Sequence, residues 1–175
     1  MVRNAPGRPR HTSAVEPTIV LGGAELIDDV EELWKALHRH HQLGLPGFAY
    51  HPDEVSWAVR SDEYRRWLAR PGSFVLVAYA GAAPVGYALV EVLDGPEDTW
   101  VTGDRIAMLQ SLSIAPLWRG RGLGTVLADR VDAELDARGI HDLMLDVVEG
   151  NTGAERFYER RGLRRVMSIY ARFSG

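Results

Sequence analysis

Between residues 24 and 42 the apolar side chains Ile27, Val30, Leu33, Trp34 and Leu37 recur at steps of three and four, the period of a helix with one face on a core. Asp28, Asp29, Glu31 and Glu32 stand early in it, where the helix dipole favours negative charge. A short strand, Thr18 to Leu21, is predicted before it and is broken by Gly22-Gly23. A weak helical pattern follows near Asp53 to Val59. Ser61 is placed to cap a short helix from Asp62 to Ala69, which Pro71-Gly72 ends. The period then drops to two: Phe74 to Tyr79 and Val85 to Val92, joined at Gly81 to Pro84, read as a hairpin. The longest strand candidate runs from Arg105 to Ala115 with Ile106, Met108, Leu112 and Ile114 on one face. Gln110 interrupts that series, either as part of a β-bulge at Gln110-Ser111 or as a polar residue on a half-exposed strand.

Helical spacing returns from about Gly122 to Arg138, with Leu123, Val126, Leu127, Val131 and Leu135 on one side and Gly139 as a left-handed cap. A strand over Asp142 to Val148 comes next, so strand, helix and strand make a right-handed parallel crossover. A helix from about Thr152 to Arg161 stops at Gly162, and Val166 to Phe173 alternates as a last strand. The order of elements is that of an α/β chain. Residues 1–17 are rich in Pro, Gly and Arg without periodicity and are expected to be a disordered tail, leaving 18–175 as a single domain.

Composition narrows the chemistry. The chain has no cysteine, which excludes disulfides, thiolate metal sites and cysteine nucleophiles. A formal charge of -4 argues against a nucleic-acid partner. No membrane span or signal-peptide core is evident, and a cytoplasmic location is expected. His38 and His41 stand one helical turn apart, but no third ligand follows at a suitable spacing, so no metal is assigned.

The chemistry-bearing stretch is Leu112-Ser113-Ile114-Ala115-Pro116-Leu117-Trp118-Arg119-Gly120-Arg121-Gly122-Leu123-Gly124. Glycines at 120, 122 and 124 let the chain turn sharply and bring its N–H groups close to a ligand. The helix that starts there leaves its first N–H groups unpaired and points its positive dipole end at the loop. A pyrophosphate would satisfy both, with Arg119 and Arg121 adding charge-assisted bonds. A glycine-rich turn with solvated arginines is the alternative. Two other nucleotide motifs fail by spelling: the only lysine is Lys35, so there is no P-loop, and Thr125 stands where a dinucleotide fingerprint needs its third glycine.

Arg119-x-x-Gly122-x-Gly124 resembles the pyrophosphate-binding signature of the GCN5-related N-acetyltransferase (GNAT) family. The resemblance extends to Leu112-x-Ile114-x-Pro116 before it and to Asn151-x-x-Ala154-x-x-Phe157-Tyr158-x-x-x-Gly162-Leu163 after it. It implies the GNAT fold: a mixed, mostly antiparallel twisted sheet with a parallel strand pair splayed at the cofactor site, flanked by about four helices. It implies acetyl-coenzyme A as cofactor, with Leu112, Ser113, Ile114, Arg119, Gly120, Arg121, Gly122, Leu123, Gly124, Thr125, Asn151, Ala154, Phe157 and Tyr158 around it. By the same resemblance the Leu112 N–H faces the thioester carbonyl, the backbone of Leu112 and Ile114 pairs with the pantetheine arm, and the bulge falls at Gln110.

Acetyl transfer to an amine needs an anchor, a stabilised oxyanion and proton management. Tyr158 is the candidate general acid, since a phenol is protonated at neutral pH and can supply a departing thiolate. Many family members carry a carboxylate where this chain has Gln110; Glu91, Glu149 and Asp104 are substitutes through a water, with none singled out. Substrate contacts are expected from Trp57, Glu91, Trp100 and Gln110, with Tyr50 as a further wall and Asp53, Glu54, Glu97, Asp98 and Asp104 attracting a cationic amine. The expected reaction is acetyl transfer to a primary amine of a small molecule by direct attack in a ternary complex. A peptide or protein N-acetyltransferase and a non-catalytic acyl-coenzyme A sensor are the other readings. An apolar last strand permits a homodimer.

Overall fold

The computed structural model describes residues 16–173, so the expected tail lies outside the described residues except for its last two positions. Its five strands are β1 (Thr18–Gly22), β2 (Phe74–Ala80), β3 (Ala83–Asp94), β4 (Arg105–Ile114) and β5 (Asp142–Met144), and its helices are α1 (Glu31–Gly44), α2 (Asp53–Leu68), α3 (Leu123–Ala137) and α4 (Thr152–Arg160). The strands lie in the order β1-β2-β3-β4-β5. The first four are antiparallel neighbours, and β5 runs parallel to β4. This is the mixed sheet with four flanking helices that the family resemblance implied.

β2 and β3 are apolar almost without a break because both faces of the sheet are covered. Phe74, Leu76, Ala88 and Val90 pack with Leu127, Val131 and Leu135 of α3 on one face. Val75, Val77, Tyr87 and Leu89 pack with Leu33, Trp34, Trp57 and Tyr64 of α1 and α2 on the other.

Three elements differ from expectation. The first helix begins as two 3-10 turns, Ala24–Leu26 and Asp28–Val30, which seat Ile27 and Val30 fully in the core before α1 takes over. The two pieces expected at 53–59 and 62–69 are one helix. Ser61 is not a cap; it is an interior residue whose hydroxyl donates back to the Ala58 carbonyl at 3.2 Å.

The third difference is at the C-terminal side of the sheet. β5 ends at Met144 rather than Val148, and residues 166–173 form no strand. Pairing between β4 and β5 stops at Met108↔Met144, just before β4 changes course. Alternation makes a strand only where a neighbour offers a ladder. Without one, Val166, Met167, Ile169, Tyr170 and Phe173 stay exposed.

Candidate active site

The change of course in β4 is a bulge. Leu89 faces Ser111 while the next residue, Val90, faces Leu109, so Gln110 is the extra residue. From there to Ile114 the strand keeps β3 on one side but has no β5 partner on the other. The parallel pair is thereby splayed, and β4 presents main-chain groups to the gap.

Two hydroxyls pin this stretch from behind. Ser111 Oγ lies 2.5 Å from the Tyr64 hydroxyl, which is itself 3.1 Å from the Tyr87 hydroxyl, and Ser113 Oγ donates to the Leu33 carbonyl at 3.0 Å. Tyr64 and Tyr87 are fully buried, and burial pushes both phenols up, so all three hydroxyls serve as hydrogen-bond groups. Leu112 lies between the two anchored serines.

After Ile114 the chain makes the 3-10 turn Pro116–Trp118 and reaches the glycine loop. Gly120 and Gly122 have φ of +70° and +85°, a region that disfavours side chains. Gly122 is the N-cap of α3 and brings no side-chain cap to the first N–H groups of the helix. Arg119 Nε donates to the Ile114 carbonyl at 3.0 Å, tying the loop to the strand end. The Arg121 guanidinium sits over the Trp118 ring at 5.7 Å from its centroid.

Strand gap and loop open on one cavity of about 910 Å³, within the range of roughly 300–1,000 Å³ usual for small-molecule and cofactor sites. Leu112, Ser113, Ile114, Arg119, Gly120, Gly122, Gly124, Thr125, Asn151, Ala154 and Phe157 line it. Arg121, Leu123 and Tyr158 do not. Leu123 is a core residue under α3, and Tyr158 packs half-buried against the apolar cluster that Leu112 and Ile114 border. Burial pushes the Tyr158 phenol up to about 12, against a smaller opposing effect of Arg161. Asn151 Oδ1 accepts from the Ala154 N–H at 3.2 Å, capping α4.

The residues expected to contact substrate lie elsewhere. Trp57 is a core residue, 7% exposed, packed against Trp34 and Tyr64, because its helical face turns to the sheet. Trp100 sits in the loop between β3 and β4, outside the cavity lining. Gln110 and Glu91 bind each other: Gln110 Nε2 donates to Glu91 Oε2 at 2.6 Å, and Arg70 Nε lies 3.1 Å from Glu91 Oε1. Glu91 is 4% exposed. Tyr50 packs edge-on to His38, and Asp53 pairs with Arg39 at 2.5 Å. Of the acids considered as bases, Glu149 alone lines the cavity. No group of three His, Asp or Glu side chains among the described residues is arranged to hold a metal.

Sequence reading missed one part of the lining. Leu37, His40, His41, Leu43 and Gly44, from the last turns of α1, line the same cavity. The spacing of Leu37, His41 and Gly44 was the available signal, since steps of four and three share a helical face.

The model of the acetyltransferase (GNAT) family matches residues 28–163. The chain belongs to this family. A mycothiol acetyltransferase of Thermobispora bispora is 34% identical over 144 residues, covering 77% of this GNAT chain but 43% of that relative. The chain thus spans less than half the length of the curated relatives it matches. Among solved structures, a GCN5-related N-acetyltransferase from Ralstonia eutropha has a TM-score of 0.68 at 22% identity, covering 91% of this chain and 99% of its own. An aminoglycoside N-acetyltransferase, AAC(6')-Iy in complex with CoA, has a TM-score of 0.64 at 18% identity, covering 94% and 99%. At such identities these structures establish the shared fold.

Proposed function

We propose that the protein moves an acetyl group from acetyl-coenzyme A to a primary amine of a small molecule by direct attack in a ternary complex. The observation that carries this reading is the single cavity in which the uncapped N-terminus of α3, the glycine loop, the unpaired edge of β4 and the first turns of α4 converge. An extended ligand with a pyrophosphate at one end and amide groups along its length matches that sequence of partners. Family membership and relatives named as acetyltransferases support the same reaction.

When bound, acetyl-coenzyme A supplies the activated acetyl group. Amides at Gly120 to Thr125 and the Arg119 guanidinium would hold its pyrophosphate, and Asn151, Ala154 and Phe157, which line the same cavity, would contact the rest of the molecule. The open edge at Leu112, Ser113 and Ile114 pairs with the amide arm. The Leu112 N–H, fixed between two anchored serines, would be the group that stabilises negative charge on the thioester oxygen without reorganising.

Tyr158, packed beside the cavity against the cluster that Leu112 and Ile114 border, would supply a proton to the departing thiolate. A phenol near 12 stays protonated at any working pH. Against a thiol of about 8.5 this makes Tyr158 the weaker acid, so the phenolate left by donation is readily reprotonated from water.

Calorimetric titration with coenzyme A, run beside thiol release from acetyl-coenzyme A with kanamycin, spermidine and glucosamine, tests the reading. Binding together with release on at least one amine is expected. Absence of binding would refute the cofactor site, and binding without release would point to a sensor.

A further inference from the structure

The cavity has two walls of different character. The glycine loop and β4 offer main-chain groups, whereas the rest of the lining comes from the end of α1 and the loop between β5 and α4. Those two segments meet: a Cβ built on Gly44 would lie 3.9 Å from the Glu149 carbonyl, and one built on Gly150 would lie 3.9 Å from the Gly44 carbonyl. Among the described residues, the lining side chains that carry an imidazole or a carboxylate are His40, His41 and Glu149, all on that wall.

His40 and Glu149 are exposed, and water competes for both. His41 is half-buried, one turn beyond Leu37 on the face that α1 turns to the cavity. His38 belongs to a different face, stacked on Trp34 at 4.9 Å and 3.9 Å from Asp53.

We infer that His41 is the general base of the transfer, receiving the proton that the acceptor amine loses as it attacks. The inference rests on the acetyltransferase reading and adds the group that the bulge does not supply, since the Gln110 amide is already bonded to Glu91. In the step, the nitrogen lone pair of the neutral amine forms a bond to the thioester carbonyl carbon and the C–S bond breaks. The amine proton passes to the unprotonated ring nitrogen of His41 and the thiolate takes a proton from Tyr158; His41 then releases its proton to water, and the Tyr158 phenolate regains one from water.

The surroundings suit that role. Burial, followed by the charges of His40, His38 and Arg60, holds the His41 imidazole below the usual histidine value. Glu149 and Arg119 also face the cavity and carry opposite charges. The ring is therefore neutral and able to accept a proton at pH 7. Its activity is lost as pH falls through a value below 6.5.

The test uses wild type, His41→Gln, His41→Ala and Glu149→Gln, with coenzyme A affinity by calorimetry and kcat from pH 5 to 9 on whichever of kanamycin, spermidine and glucosamine wild type turns over fastest. His41→Gln is expected to keep coenzyme A affinity within about threefold, lower kcat by about 10²–10⁴-fold and abolish the acidic limb; free imidazole is expected to restore part of the rate to His41→Ala. Coenzyme A binding with an intact acidic limb in His41→Gln overturns the role of His41 alone, as does loss of that limb in Glu149→Gln only. Wild type that fails to bind coenzyme A, or binds it and turns over none of the three amines, overturns the acetyltransferase reading and this one with it.

Discussion

The two ends of α3 provide an internally controlled test of the phosphate-binding loop. Gly122, before the first turn, and Gly139, after the last, have φ of +85° and +66°, and a Cβ at either position meets nothing within 4 Å. Replacing either by alanine imposes the same backbone strain, about 1–2 kcal/mol for an L-residue in the left-handed region. For a chain of this size that lowers Tm by roughly 2–8 °C, at about 2–4 °C per kcal/mol. The difference lies in what the open space is for: Gly122 lines the cavity, and Gly139 does not. A methyl group at 122 holds the ligand off the adjacent amides. Losing one hydrogen bond to a charged group removes about 1.5–3 kcal/mol, a fall in affinity of roughly tenfold to a hundredfold. Differential scanning calorimetry and coenzyme A titration on both variants measure the two effects separately. Similar Tm losses with weakened binding only in Gly122→Ala are expected. Equal affinity for coenzyme A in the two variants would refute the placement of the pyrophosphate at α3.

Other outcomes follow from single side chains. Tyr158→Phe keeps the packing against the Leu112 cluster and removes the proton donor, so kcat falls by about 10²-fold or more while coenzyme A affinity is unchanged; stopped thiol release and calorimetry check both. Leu127→Ala opens a cavity at a fully buried position between α3 and the sheet and costs about 2–5 kcal/mol in urea unfolding, with the slope unchanged. Tyr64→Phe leaves the Ser111 and Tyr87 hydroxyls without their shared buried partner and costs about 1–3 kcal/mol, with a lower kcat as Leu112 loses one of its two flanking anchors.

Much of the fold was legible because its signals are local. The hairpin of β2 and β3 shows in composition and turn spacing, and α3 in its apolar stripe and its glycine at each end. The glycine loop was legible for the same reason: its chemistry is main-chain geometry, and only a few residue types permit that geometry. The bulge at Gln110 was visible as a break in period, although the break alone did not separate a bulge from a half-exposed polar residue.

Pairing and facing were decided only in three dimensions. Trp57 reads as a substrate-contacting aromatic in a weak helical pattern until α2 is seen as one continuous helix that turns it into the core. Residues 166–173 alternate like a strand, yet a strand needs a neighbour, and the shortness of β5 is a property of its contact with β4 rather than of its own residues. His41 looks like one of several polar residues at a helix end, and Glu91 like a surface acid; the fold turns one towards a cavity and buries the other beneath Gln110 and Arg70. The sequence by itself determined where the backbone can turn and which stripes are apolar, because those depend on residues within one or two turns of each other. The tertiary structure alone determined which edge of β4 stays open and which side chains share the cavity, because those depend on segments more than a hundred residues apart meeting in space.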